Sequence, residues 1–315
     1  AGTVRHVQDT PAVSKDVLEA SVVRQAEHLA NEADAWQRLI NGHESLTIPP
    51  FTRRRVIVDL EQYFCAYPQL VVTGGAGATF RVSWSEALYS HDAASPKGTY
   101  QVRFKYNRNE IEGKCFLGVG DTFQPDGGAQ RMFEPLWWQA GRYVELAVET
   151  GAHALTFDAF SFLETRYPYD LRAEFTSSDA RLSDDVAPVA LRTLEMCSHE
   201  SYMDCPYYEQ LMYVGDTRLE VLTTFVTTPD DRLPRKAVLL FDLSRWSLPN
   251  GLATSRYPSR ITQSIPPFSL WWVAMVHDRA MWRGITTEYH RYAHHSVTAD
   301  GRDLGGCAIA QNAAE

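Results

Sequence analysis

Apolar positions change their period twice along the chain. Behind Ser14, Val17, Leu18, Val22 and Leu29 recur at near-helical spacing, followed by Trp36, Leu39 and Ile40, with charged residues between them. This predicts a helical lead-in over residues 11–42, stopped by Asn41-Gly42 and closed by Pro49-Pro50. From Phe51 the period falls to two. Val56-Ile57-Val58-Asp59-Leu60 and Gln69-Leu70-Val71-Val72 read as two strands, the second ending at Gly74-Gly75. Phe80, Val82 and Trp84 alternate with Arg81 and Ser83, and Val144, Leu146 and Val148 alternate with Glu145 and Ala147. Leu155-Thr156-Phe157 and Phe160-Ser161-Phe162 follow as further short strands, with Pro and Gly turn signals between segments. Such spacing predicts an antiparallel β-sandwich, jelly-roll-like, over residues 51–176.

Near residue 180 the helical period returns. Val189, Leu191, Leu194, Met196 and Cys197 form a run reaching His199, and Pro188, tolerable only in a first turn, puts its start near Ala187. A second helix is expected from Thr217, with Leu219, Leu222, Phe225 and Val226 as its stripe and Pro229 as its end. Residues 235–241 and 268–282 make two more. Successive helices without strands predict an all-α domain of hairpins over residues 177–284. Beyond Gly284 no stripe persists, and residues 285–315 read as an irregular tail. The expected division is therefore 1–50, 51–176, 177–284 and 285–315.

Composition narrows the partners. The formal charge is −9, which disfavours nucleic acid and anionic membranes but is indifferent to neutral sugars. The five cysteines include no CxxC pair, so reduced, buried thiols and a cytoplasmic setting are favoured over disulfides or structural zinc. No apolar run approaches the roughly 18 residues of a spanning helix. His290, His294 and His295 lack a carboxylate or cysteine at ligand spacing, so neither metal nor cofactor is expected.

The densest chemistry lies between two helices, in Asp204-Cys205-Pro206-Tyr207-Tyr208-Glu209 and on through Tyr213 to Gly215-Asp216-Thr217-Arg218. Pro206 forces Cys205 towards extended backbone, so this stretch is a connection and not one helix. Carboxylates beside flat rings suit glycoside hydrolysis, in which one acid stays protonated to donate to the leaving oxygen and another stays charged. Glu209, among Tyr207, Tyr208 and Tyr213, is the expected donor, its pKa raised by an apolar setting. Asp204 is the expected anion. Structural roles compete: Asp216 as an N-cap, Asp204 as a brace for its loop, and Glu209 as the ion-pair partner of Arg218 or Arg256.

The run Tyr202-Met203-Asp204-Cys205-Pro206-Tyr207-Tyr208-Glu209-Gln210 with Tyr213-Val214-Gly215-Asp216-Thr217-Arg218 closely resembles the signature of bacterial α-L-rhamnosidases. The resemblance extends upstream through Arg108-Asn109-Glu110, Gly120-Asp121-Thr122-Phe123, Phe133-Glu134-Pro135-Leu136-Trp137-Trp138, Gly141-Arg142-Tyr143 and Glu164-Thr165-Arg166-Tyr167-Pro168. Downstream it includes Asp231-Arg232-Leu233-Pro234-Arg235, Ser255-Arg256-Tyr257-Pro258-Ser259 and Ile265-Pro266-Pro267-Phe268-Ser269-Leu270-Trp271-Trp272. It covers roughly residues 50–284. It implies an inverting glycosidase acting on terminal α-L-rhamnosyl residues, with a β-sandwich followed by the first hairpins of an (α/α)6 six-hairpin barrel.

By that resemblance Glu209 is the general acid, and Asp204 and Asp216 bind the rhamnose ring. Tyr213 stands where many relatives carry a pocket tryptophan. Arg256, Tyr257, Trp271 and Trp272 are further candidates for the pocket wall, the two tryptophans serving helix packing equally well. The resembled family draws its general base from a glutamate far downstream, beyond residue 315. Four or five helical segments stand where twelve are expected, so the chain reads as a fragment lacking the base and prone to self-association through exposed helix faces. The rival reading is a non-catalytic rhamnoside-binding protein or an inactive fragment.

Overall fold

A computed structural model describes residues 2–10, 13, 22–90 and 104–284, which fall into two compact units, Ala1–Thr165 and Arg166–Glu315. The expectations for the irregular tail and its histidines lie outside the described residues, as does most of the stretch 11–21.

The first unit is built on an antiparallel sheet. Its strands are β1 (Thr3–Gln8), β2 (Leu46–Ile48), β3 (Arg53–Gly74), β4 (Thr79–Ser85), β7 (Val119–Phe123), β8 (Arg131–Phe133), β9 (Gln139–Glu149) and β10 (Leu155–Glu164). The order is β2-β10-β3-β9-β4-β7, with β1 and β8 also pairing with β3. A separate two-stranded ribbon joins β5 (Tyr89–Ser90) to β6 (Lys114–Cys115). The two strands expected over 56–60 and 69–72 are a single strand, β3. It stays continuous because its halves find different neighbours: residues 53–59 pair with β9 and β1, and residues 66–74 pair with β10. The register against β9 shifts between Asp59 and Phe64, around Glu61 at φ +68°. That is a bulge, which re-aims the strand without ending it.

Alternation along β3 separates two cores. Val56 and Val58 face the larger one with Phe80, Val82, Trp84, Leu146, Val148 and Phe157, while Ile57 faces the other with Tyr143, Leu88 and Phe116. A sheet covered on both faces explains the near-continuous apolar run at 56–58. The helix α1 (Ala30–Ile40) closes the larger core, with the Trp36 ring 6.0 Å from that of Phe157. It begins at Ala30, well after the expected start: β1 takes residues 3–8 into the sheet, and Gln25–Glu27 is only a 3₁₀ turn. Asp59, 2% exposed, receives Arg5 at 2.8 Å and Arg142 at 2.7 Å. Burial alone would raise its carboxyl pKa, but the Arg142 bond, the Glu61 amide and the charge of Arg5 together hold it lower.

The second unit is helical: α2 (Ala187–Met196), α3 (Val214–Thr227), α4 (Arg232–Ser244) and α5 (Pro266–Arg283). Helix α2 begins at Ala187 as Pro188 requires, continuing a π turn over Arg181–Val186. Helix α4 starts earlier than expected because Pro234 sits in its first turn, where its missing N–H is no loss. Pro266 and Pro267 open α5, and Gly284 at φ +66° terminates it as a left-handed cap. Tyr202, Val214, Val221, Phe225, Phe241, Trp272 and Met275 form the core among these helices. No helix among the described residues is long and apolar enough to cross a membrane.

Candidate active site

The connection between α2 and α3 folds back on itself. The Asp204 amide donates to the Leu211 carbonyl at 2.9 Å, and the Leu211 amide donates to Asp204 Oδ1 at 2.9 Å. Asp204 therefore does brace its loop, through one carboxylate oxygen. The chain between them reverses through Glu209 at φ +37° and Gln210 at φ +54°, two consecutive left-handed residues. Neither has the glycine that usually carries this conformation, and such strain is concentrated at functional positions. Gln210 Nε2 donates to the Pro206 carbonyl at 2.8 Å and ties the turn down.

The next three residues are held by a distant segment. Val214 N donates to the Ser255 carbonyl at 3.0 Å, and Tyr257 N donates to the Met212 carbonyl at 3.2 Å. This short antiparallel bridge sets Tyr213 against Arg256. The Arg256 guanidinium hydrogen-bonds the Tyr213 hydroxyl and lies 5.2 Å from its ring centroid. Burial raises the Tyr213 pKa, Arg256 opposes the rise, and the neighbouring Glu209 carboxylate adds to it. Glu209, Tyr213 and Arg256 thus form one contiguous polar group.

Glu209 itself is exposed, against the expectation of an apolar wrapping: Tyr208 is exposed and Tyr207 half-buried beside it. The carboxyl that burial does push up is Asp204, with Glu209 adding charge repulsion. The expected contrast between a shielded Glu209 and a solvated Asp204 is therefore not found. Cys205 Sγ donates to Asp204 Oδ2 at 3.3 Å, and burial together with the Asp204 charge holds that thiol at about 12, so it stays protonated. Cys65, Cys115 and Cys197 are buried.

Asp216 is not the N-cap of α3. Tyr213 holds that position, and Asp216 lies exposed in the first turn, where the helix dipole favours a carboxylate. Arg218 does not serve Glu209. It pairs with Asp278 at 2.7 Å and lies 5.0 Å from the Trp271 ring, leaving that indole 37% exposed. Trp272 is 4% exposed and donates Nε1 to the Val238 carbonyl at 3.1 Å. It is core, not pocket wall, because successive residues of a helix point about 100° apart. Tyr257 is half-buried against the same core.

One acid was not anticipated. Glu220 stands one turn beyond Asp216 on α3, with its Oε2 buried and without a partner. Burial pushes its carboxyl well above the usual range, and the charges of Asp216 and Asp204 push it further. The i, i+4 spacing from Asp216 was its only sequence signal. Among the described residues no group of three His, Cys, Asp or Glu side chains is placed to hold a metal ion.

No protein-family model and no curated protein matches the chain. Solved structures do. The GH78 family rhamnosidase of Bacillus sp. GL1 aligns over 80% of this chain and 24% of its own, with a TM-score of 0.60 and 18% identity. The Klebsiella oxytoca rhamnosidase with rhamnose bound aligns over 94% and 56%, with a TM-score of 0.56 and 16% identity. Over the aligned part, this chain shares the fold of these rhamnosidases. The α-L-rhamnosidase from Aspergillus terreus agrees at a TM-score of 0.51 and 14% identity, over 81% of this chain and 28% of that one. The chain thus spans from about a quarter to just over half of these rhamnosidases, in a mixed β plus α architecture.

Proposed function

We propose that the Asp204–Asp216 connection recognises a terminal α-L-rhamnosyl residue of a glycoside or oligosaccharide, and that Glu209 donates a proton to the glycosidic oxygen in an inverting cleavage. The observation that carries this reading is the grouping of Asp204, Glu209 and Tyr213 on one braced connection, with Arg256 bridged to Tyr213 from a distant segment, in a chain that shares its fold with rhamnosidases. Asp204 and Asp216 bind ring hydroxyls and support the positive charge that grows on the sugar in the transition state. Tyr213, steadied by Arg256, offers the ring a flat apolar face, and Trp271 forms an outer wall. The helical unit is read as the first hairpins of a six-hairpin barrel. Inversion also requires a base roughly 6.5–9.5 Å from the acid, across the sugar from it. None of the carboxyls gathered here is assigned that role, and we place the base outside this group.

Hydrolysis of two aryl α-L-rhamnosides, one with a good and one with a poor leaving group, tests the assignment. A poor leaving group needs the proton more. Glu209→Gln should lower its cleavage by about 100-fold or more while sparing the activated substrate. Equal rates for both proteins on both substrates remove Glu209 from the role. Rhamnose binding without any turnover would favour a carbohydrate-binding protein.

A further inference from the structure

Glu220 is a costly residue to place where it stands. Its Oε2 is buried and makes no hydrogen bond, and the hydroxyl of the adjacent Thr217, 0% exposed, lies close enough to favour the anion without completing a bond of normal geometry. Buried polar groups without partners are rare, and each asks for a reason. The groups acting on the Glu220 carboxyl come from its own helix and from the connection before it. Asp216 and Thr217 precede it on α3, and Met203 and Asp204 approach from the preceding connection. The phenols of Tyr202 and Tyr169 also lie near it. Tyr202 shares a 2.7 Å hydrogen bond with Thr224 Oγ1, which in turn donates to the Glu220 carbonyl at 2.8 Å. Tyr169 donates to Ser198 Oγ at 2.8 Å. No cation is among these neighbours. The Thr217 hydroxyl and the Met203 amide favour the anion, but less than burial and the two aspartates oppose it.

We propose that Glu220 is a positioning residue: its side chain, with Oε2 buried one turn beyond Asp216 and beside the Met203–Asp204 segment, sets how Asp204 and Asp216 approach one sugar ring. A third anion here would repel both aspartates. The sugar part of this assignment rests on the rhamnoside reading above. Glu220 touches no substrate in it and acts through the two aspartates.

Carbon-13 carboxyl titration of the full chain tests the assignment, with Asp204, Asp216 and Glu220 assigned from their sequential backbone signals. The Glu220 carboxyl should keep its protonated shift at pH 7. Glu220→Gln, neutral and isosteric, should leave the Asp204 and Asp216 midpoints within about 0.3 pH units of wild type. Glu220→Ala, which removes most of the side chain, should move the Asp204 midpoint and weaken L-rhamnose binding about tenfold, while Gln holds affinity within about threefold. A Glu220 signal titrating with ordinary glutamates would overturn the assignment. So would a fall of about one unit in either aspartate midpoint in Glu220→Gln, or an Ala variant that behaves as wild type. If wild type binds no rhamnose while the titrations behave as expected, the sugar reading fails and the positioning of the two aspartates stands. Should the variants not fold, the wild-type titration of Glu220 alone decides.

Discussion

Asp204 and Glu220 hold their protons to higher pH than free carboxyls do, because burial penalises the anion at both. In the unfolded chain both titrate near about 4. Above that pH the folded state keeps protons that the unfolded state has released, so their contribution to stability falls as pH rises towards the raised folded values. Asp59 and Asp230 act in the opposite sense. Asp230, bonded foremost by Arg232, sits well below the usual carboxylate range, so its contribution is present above about 4 and lost in acid. Urea midpoints measured at pH 5 and pH 8 should therefore drop less in Glu220→Gln than in wild type, and an equal drop would mean that Glu220 is ionised in the folded state. Asp204, Glu209 and Asp216 stand out as candidates in the sequence because they share one short local run. Glu220 does not, because what distinguishes it is burial against Met203, which one turn of helix pattern does not reveal. The exposure of Glu209 is hidden for the converse reason: flanking tyrosines count as apolar in a sequence, whereas in the fold Tyr208 is itself exposed and Tyr207 only half-buried.

Helix α3 positions the site through its first turn, and Gly215 is the residue that permits the packing there. A Cβ at Gly215 would lie 2.9 Å from Cε1 and Cζ of Phe268 on α5, and that ring meets Tyr213 edge-on at 6.5 Å. Gly215→Ala gains helix propensity of up to about 1 kcal/mol but must displace the Phe268 ring, at a cost of roughly 1–3 kcal/mol. The expected net loss is about 1 kcal/mol in thermal unfolding, with rhamnose affinity reduced several-fold as Tyr213 shifts. Unchanged stability and affinity would mean that the α3–α5 contact does not hold Tyr213. Elements themselves were read well where period and punctuation agreed, as at Pro188 for α2 and Pro266-Pro267 for α5. They were misread where tertiary pairing decided. The alternation divides β3 over residues 61–68 because the bulge around Glu61 interrupts it. The start of α1 was set too early because Val22 and Val23 pack or pair as extended chain, a use that helical spacing does not exclude.

Across the whole molecule, the helical unit keeps large apolar side chains in water. Leu219, Val226, Leu239, Leu243, Trp246, Leu270, Met281 and Trp282 are all exposed on it. Surfaces this apolar usually bind something, and the chain is expected to sediment above its monomer mass at tens of micromolar, with little sensitivity to salt. A monodisperse monomer at that concentration would show that these side chains are too scattered to associate. The order of a β unit before a helical one was legible from the change of period near residue 180, and the rhamnosidase fold from the run at 202–218. Identity of 14–18% to solved rhamnosidases carries the fold and leaves the ligand to be measured. The most direct measurement is calorimetric titration of the full chain with L-rhamnose, beside Asp204→Asn and Asp216→Asn. Saturable 1:1 binding by wild type, weakened tenfold or more in both variants, is the predicted result. No binding, or equal binding by all three proteins, would contradict a rhamnoside site at Asp204–Asp216.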